Sequence, residues 1–231
     1  MVDFDIAFST IHRSNNQYFY ETLKSFKENT SKSYDTSFIV GNLDNAYLTE
    51  LKLEPNFNIT LMSEKEWDMI KDKGKCDKFN MNFYRCLTSN ENKKIAGRLY
   101  LEDDIIFKKD WDLQLNETIA SLKEVSPEFA LSIYTPYNLS NHPGEIVKFD
   151  KGFYGTQGVY FTSGILESFA NKIMNEGILT YRHMADILLQ EFCIENNIPL
   201  YVMKESLVQH IGEESSIHNN TFHKATSFKQ N

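Results

Sequence analysis

Short apolar runs alternate with amphipathic segments along the chain, and that alternation predicts an α/β order. Phe4 to Ser9 is almost unbroken apolar sequence and reads as a buried first strand. Tyr18, Phe19, Leu23 and Phe26 then recur at helical spacing, predicting a helix from Asn16 to about Glu28. Thr36–Gly41 and Phe57–Met62 read as two further strands. Ser63 followed by Glu66 has the reciprocal capping pattern of a helix start. Lys71–Lys75 is a charged, Gly-containing loop, and a longer helix follows it. In that helix Phe79, Phe83 and Leu87 form the core face. Lys78, Asn82 and Arg85, spaced i, i+4 and i+7, share a neighbouring face that suits a diphosphate or ribose, or is a solvated stripe.

The second half repeats the alternation. Leu99 to Glu102 is a strand, and Asp110–Glu124 is a helix with Trp111, Leu115, Ile119 and Leu122 inward. Phe129–Tyr134 is a strand. Thr135–Phe149, with Pro136 and Pro143, is irregular and polar, as a flap would be. Gly155 and Gly158 bracket a turn entering a strand through Phe161; glycine there permits positive φ or a close backbone approach to a ligand. Ser163 caps a helix to Met174. Asp186 opens a helix over Ile187–Ile194, where the helix dipole alone accounts for an acid. Leu200–Met203 is a short strand, Ser206–Gly212 follows, and a polar stretch runs from Glu213.

Composition narrows the class. The 231 residues, 41% hydrophobic and 24% charged, suit one domain with a real core. A net charge of −8 disfavours a general polyanion binder. Three scattered cysteines, Cys76, Cys86 and Cys193, have no zinc-site spacing and are expected as reduced thiols. The N-terminus lacks a basic and then apolar leader pattern, and no stretch reaches the roughly 18 apolar residues of a membrane span. A cytoplasmic protein without an integral membrane segment is the expectation.

The chemistry concentrates in Glu102-Asp103-Asp104, set between Leu99–Leu101 and Ile105–Phe107. Three adjacent carboxylates flanked by apolar strands repel one another and cost desolvation unless a cation arrives. Oxygen ligands of this kind suit Mg²⁺ or Mn²⁺; a solvated acidic turn is the plain alternative. A strand that ends in Ser9-Thr10 and runs through Arg13 into a helix has the layout of a nucleotide-binding α/β domain. An ordinary strand-to-helix loop is the plain reading there.

Four stretches in order carry a family resemblance: the Lys78/Asn82/Arg85 helix, the Glu-Asp-Asp strand end, Gly155-Thr156-Gln157-Gly158, and Asp186 before Val208-Gln209-His210-Ile211-Gly212. Together they resemble GT-A glycosyltransferases. The Glu-Asp-Asp form and the Gln-His-Ile-Gly-x-x-Ser-Ser stretch are most similar to branching N-acetylglucosaminyltransferases and lipopolysaccharide-type bacterial transferases. The resemblance implies an α/β fold: a single GT-A, Rossmann-like domain over residues 1–216, with a mixed, mostly parallel central sheet flanked by helices. Residues 217–231 would form a flexible polar tail.

It also implies a nucleotide-sugar donor, with UDP as the class-typical nucleotide, and a site. Asp104 and His210 would bind the metal, Mn²⁺ or Mg²⁺, with imidazole favouring Mn²⁺. Glu102 and Asp103 would support the ribose or the metal's waters. Their order departs from strict Asp-x-Asp and leaves the division of labour open. Thr10, Arg13, Lys78, Asn82 and Arg85 would face the nucleotide, and Gly155 and Gly158 the donor sugar and acceptor. Asp186 would be the catalytic base of an inverting transfer, or structural in a retaining one. A nucleotidyltransferase of the same fold is the first rival, although Thr10–Asn15 has no glycine to cradle phosphates. A non-catalytic nucleotide- or sugar-binding module is the second. The acceptor would be a bacterial glycan, a protein, or a modified base in phage DNA.

Overall fold

The computed structural model describes residues 3–11, 17–34, 36–40, 57–89, 95–180, 183–212 and 224–229. Among the described residues there are ten strands: β1 (Phe4–Thr10), β2 (Thr36–Val40), β3 (Phe57–Leu61), β4 (Gly97–Glu102), β5 (Ile105–Phe107), β6 (Ala130–Ser132), β7 (Ile146–Lys148), β8 (Gly158–Thr162), β9 (Leu200–Met203) and β10 (Val208–His210). The helices among these residues are α1 (Gln17–Asn29), α2 (Glu64–Ile70), α3 (Lys75–Thr88), α4 (Trp111–Val125), α5 (Ser163–Lys172) and α6 (Ala185–Glu195), with a π-helical turn at Ile173–Leu179.

Eight strands form one sheet in the order β3-β2-β1-β4-β8-β6-β9-β7, and β10 pairs with β5 apart from it. The pairings β3–β2, β2–β1, β1–β4 and β6–β9 are parallel. Those on either side of β8, and β9–β7, are antiparallel. The expected mixed, mostly parallel sheet is thus observed. Every residue of β1 is buried, which is why it reads as a continuous apolar run rather than an alternating one. Its side chains still alternate between faces. Ile6 and Phe8 join one core with Phe19, Leu23 and Phe26 of α1 and Trp111, Leu115 and Ile119 of α4. Ala7 and Tyr100 point the other way, into a core with Met81 and Phe83 of α3, Phe169 of α5 and Leu188 and Leu189 of α6.

Local chemistry fixes the ends of these elements. Ser63 and Glu66 form the reciprocal cap of α2, with Ser63 N–H donating to Glu66 Oε2 at 2.7 Å and Glu66 N–H to Ser63 Oγ at 3.3 Å. Arg98 and Asp5 face each other on β4 and β1 as a buried bidentate pair, both contacts 2.8 Å. The remaining Arg98 donors cap α3 through the carbonyls of Cys86 and Leu87. Three expectations are corrected. Thr162, not Ser163, is the N-cap residue of α5, because β8 runs directly into the helix. That helix gives way to the π-turn at Ile173. The stretch expected to be irregular contains β7, a half-exposed edge strand.

The segment 224–229, within the stretch expected to be a free tail, is docked. Ala225 is buried in the first core, and Gln209 grips its backbone through Ala225 N–H (2.7 Å) and Ala225 O (3.1 Å). No helix among the described residues is long and apolar enough to cross a membrane.

Candidate active site

Glu102 is the last residue of β4, in register with Ser9 at the end of β1. Asp103 and Asp104 form the turn into β5. The Thr22 hydroxyl of α1 braces this turn on both sides, donating to Asp103 O and accepting from Ile105 N–H, each at 2.9 Å. The three acids then diverge. Asp103 is buried and accepts from Thr10 Oγ1 (2.7 Å) and Ile11 N–H (3.3 Å), so it ties the turn to β1. Glu102 and Asp104 turn to one side and meet His210.

The β5–β10 pairing brings His210 there. His210 is opposite Ile105, and Ile211 N–H donates to Asp104 O at 2.9 Å. His210 Nε2 lies 3.3 Å from Asp104 Oδ2. One ligand atom each from Glu102, Asp104 and His210 falls within 4.8 Å of the others. A Cβ on Gly212 would stand 2.5 Å from Asp104 Oδ2 and 2.9 Å from His210 Nε2. Glycine therefore keeps open the space these groups face, and two carboxylates with one imidazole are a donor set that fits a divalent ion.

The basic helix is arranged differently. Asn82 donates to Ser9 Oγ (3.1 Å) and Thr10 O (3.3 Å), beside the β1 end. Arg85 is buried, donates to Thr60 O at 3.1 Å and pairs with Glu66 at 3.6 Å, toward the β3 edge of the sheet. Burial pulls its guanidinium below the ordinary value, partly offset by Glu66. Lys78 lies over the Trp67 ring, 5.6 Å from its centroid. Of the expected nucleotide-facing set, the structure brings Thr10 and Asn82 to the carboxyl ends of β1 and β4. Lys78 contacts α2, and Arg85 contacts α2 and β3 while its Nη1 also lies 3.4 Å from Asn82 Oδ1. Arg13 lies outside the described residues.

Asp186 is half-buried in the first turn of α6, its Oδ1 accepting from Ile187 N–H at 2.8 Å. The turn before β8 links that helix to the acidic cluster. Phe153 N–H donates to Gln190 Oε1 (2.8 Å), one helical turn beyond Asp186. At the other end Thr156 Oγ1 is 3.5 Å from Glu102 Oε1, and Glu102 N–H donates to Gln157 O at 3.1 Å. Gly155 has φ +94° and adjoins the Tyr134 ring. Gly158 is glycine for packing, since a Cβ there would meet Ile133 Cγ1 at 2.7 Å.

Sequence reading missed Tyr134 and Tyr137. Burial raises the Tyr134 hydroxyl above its ordinary value, with Glu102, Tyr154 and Asp104 adding to the rise. Burial likewise raises Tyr137, helped by Tyr154 and Asp186 against a backbone hydrogen bond. Both stay protonated at neutral pH and stand between the acidic cluster and Asp186. Their only sequence signal is aromatic residues just past a strand end. Gly212, two residues after His210, was legible as a residue but not as a cradle.

No protein-family model and no curated protein sequence matches the chain. Solved structures do share its fold. Mouse xyloside xylosyltransferase 1 in its apo form superposes with a TM-score of 0.51 at 9% identity, covering 87% of this chain and 85% of that one. Staphylococcus aureus TarS residues 1–349 with UDP-GlcNAc gives 0.54 at 12% identity, over 92% of this chain and 59% of that one. The same TarS fragment with UDP gives 0.53 at 11% identity, over 89% and 59%. The chain thus spans about three-fifths of that fragment. At such identities the likeness is one of fold alone: a mixed, mostly parallel central sheet flanked by helices.

Proposed function

We propose that the protein is a metal-dependent glycosyltransferase that moves a sugar from a nucleoside-diphosphate sugar, a UDP-sugar by preference, to an acceptor hydroxyl. The observation that carries this reading is the convergence of Glu102, Asp104 and His210 around the space left by Gly212. The fold shared with a xylosyltransferase, and with a protein solved with UDP and UDP-GlcNAc, supports the donor class.

Asp104 and His210 are the direct metal ligands in this reading, and Glu102 completes the shell or holds its waters. Mn²⁺ suits the mixed oxygen and nitrogen set better than Mg²⁺. Bound there, the ion would act as a Lewis acid that neutralises charge on the departing diphosphate. Thr10 and Asn82 border the nucleotide at the ends of β1 and β4, with Asp103 holding the turn rigid. Asp186 takes the proton of the acceptor hydroxyl while that oxygen bonds to the anomeric carbon. The bond from that carbon to the diphosphate oxygen breaks in the same step, and the configuration inverts. A positioned carboxylate base is worth roughly 10²–10⁴ in rate. Asp186→Asn is therefore expected to lose about that factor with melting unchanged; near-full turnover in the variant removes Asp186 from the base role.

The test of the reading is a thermal-shift series with UDP, GDP, CDP and TDP, each with and without Mn²⁺, on the wild type and Asp104→Ala. A nucleotide at a hundred times its Kd stabilises by about 2.7 kcal/mol. A Mn²⁺-dependent shift with UDP, absent from Asp104→Ala, is expected. The absence of any nucleotide shift overturns the reading.

A further inference from the structure

We infer that the ring of Tyr154 is the floor of an acceptor subsite that binds a neutral pyranose. The inference rests on the glycosyltransferase reading above and adds to it the chemical class of the acceptor. Its first support is placement. The preceding residue, Phe153, is tied to Gln190 on α6, one turn from Asp186. Two residues on, Thr156 touches Glu102. Two residues of extended chain span at most about 7 Å. Tyr154 therefore stands between the proposed base and the proposed metal site, where an acceptor must lie.

Its second support is rigid display. Gly152 at φ +72° and Gly155 at φ +94° let the backbone turn sharply on both sides of Tyr154. The Tyr137 hydroxyl accepts from Tyr154 N–H and lies 3.0 Å from Tyr154 O, which pins the residue's backbone at both polar groups. The Tyr137 and Tyr154 rings meet edge to face at 4.8 Å, and Phe149 backs Tyr137 at 4.6 Å. Phe153 is buried beside them, yet Tyr154 remains 40% exposed. A large aromatic held firmly and left open to solvent next to a reaction centre is a recognition surface, because two χ angles cost little to order.

Its third support is charge. With Glu102 and Asp104 committed to the metal, Asp186 is the acid left to the acceptor side, in a chain of net charge −8. A phosphate backbone gains nothing from such a neighbour. A pyranose brings an apolar face of C–H groups to the ring and a hydroxyl to Asp186, without charge. The same stacking chemistry would serve a nucleobase, but the phosphodiester chain that carries it would meet Asp186, and oligonucleotide competition separates the two.

Saturation-transfer NMR on the full chain with Mn²⁺ and UDP tests this, using methyl pyranosides of glucose, galactose, mannose and N-acetylglucosamine as probes. Millimolar binding suffices for detection. At least one pyranoside is expected to receive saturation at its ring C–H protons. The signal should fall about tenfold in Tyr154→Ala and persist in Tyr154→Phe, with melting unchanged in both. The inference is overturned if no pyranoside is saturated, if the signal survives in Tyr154→Ala, or if a single-stranded oligonucleotide competes the sugar off Tyr154. The UDP thermal shift on the same samples separates the two levels. A shift without sugar binding removes the Tyr154 platform alone, and no nucleotide shift removes the glycosyltransferase reading itself.

Discussion

The acidic turn after β4 and the basic face of α3 border the same sheet and carry equally suggestive residues, yet their polar groups have different fates. In the turn, Asp103 is anchored inward while Glu102 and Asp104 converge with His210 on a space that a single Cβ would fill. On the helix, Arg85 reaches a β3 carbonyl and Glu66, and Lys78 lies over Trp67. Like-charged groups held together face a ligand or pay in repulsion, whereas a buried cation satisfied by a carbonyl and a carboxylate is part of the fold. Residue type alone does not separate these fates; the destination of each hydrogen bond does.

The sharpest way to break this comparison is a pair of substitutions. Asp104→Ala is expected to leave melting near that of the wild type, because it relieves repulsion, and to reduce sugar transfer by about 10³-fold. That factor corresponds to several kcal/mol of transition-state stabilisation from a Lewis acid. Arg85→Met should do the converse. Losing the buried cation strands Thr60 O and Glu66, at a cost of about 3 kcal/mol in urea unfolding. The size of the nucleotide-dependent shift should survive. If Asp104→Ala unfolds the protein or Arg85→Met abolishes nucleotide binding, the two regions have exchanged roles.

A smaller effect sharpens the same contrast within the site. Gly212→Ala places a methyl group against Asp104 Oδ2 and His210 Nε2 without requiring a left-handed backbone. The fold should tolerate it. Mn²⁺ affinity, read by electron paramagnetic resonance titration, should fall about 10- to 100-fold, the range seen when a metal's immediate surroundings are disturbed. Unchanged affinity would mean that the ion does not occupy the cradle.

Much of the fold was legible because burial writes itself into periodicity. The continuous run at Phe4–Ser9 and the 3.6-residue spacing of α1, α3 and α4 follow from which faces are covered. The three residues of β7, half-exposed at a sheet edge, leave no such mark. The π-turn was illegible for a related reason. Its contacts are tertiary: the Asn80 amide donates to Gly177 O at 2.9 Å and His183 O at 3.0 Å. At the site, Glu102-Asp103-Asp104 was visible as a cluster. That Asp103 would turn away while His210 arrived depends on β10 pairing with β5, a contact between residues about a hundred positions apart. The one-face spacing of Asn82 and Arg85 was correct, and Arg85 Nη1 does reach Asn82 Oδ1 at 3.4 Å. What that face looks at was settled by α2 and β3, which local spacing does not encode.

The smallest effect concerns a polar group committed wholly to the fold. Tyr160 on β8 donates its hydroxyl to Ala96 O at 3.2 Å, and burial raises it above its ordinary value of 10, with Glu128 adding to the rise. Below pH 10 the hydroxyl is protonated in both folded and unfolded chains, so it contributes no slope. Above pH 10 the unfolded chain loses this proton while the folded chain keeps it. The unfolded state then binds fewer protons, and stability falls as pH rises, by at most about 1.4 kcal/mol per pH unit for one such group. Tyr160→Phe should remove that part of the slope in urea unfolding above pH 10 and leave nucleotide shifts at neutral pH unaltered. If the substitution instead alters the nucleotide shift, β8 communicates with the acidic turn through more than backbone pairing. The separation between groups that hold the fold and groups that face the ligand would then fail at the strand next to β4.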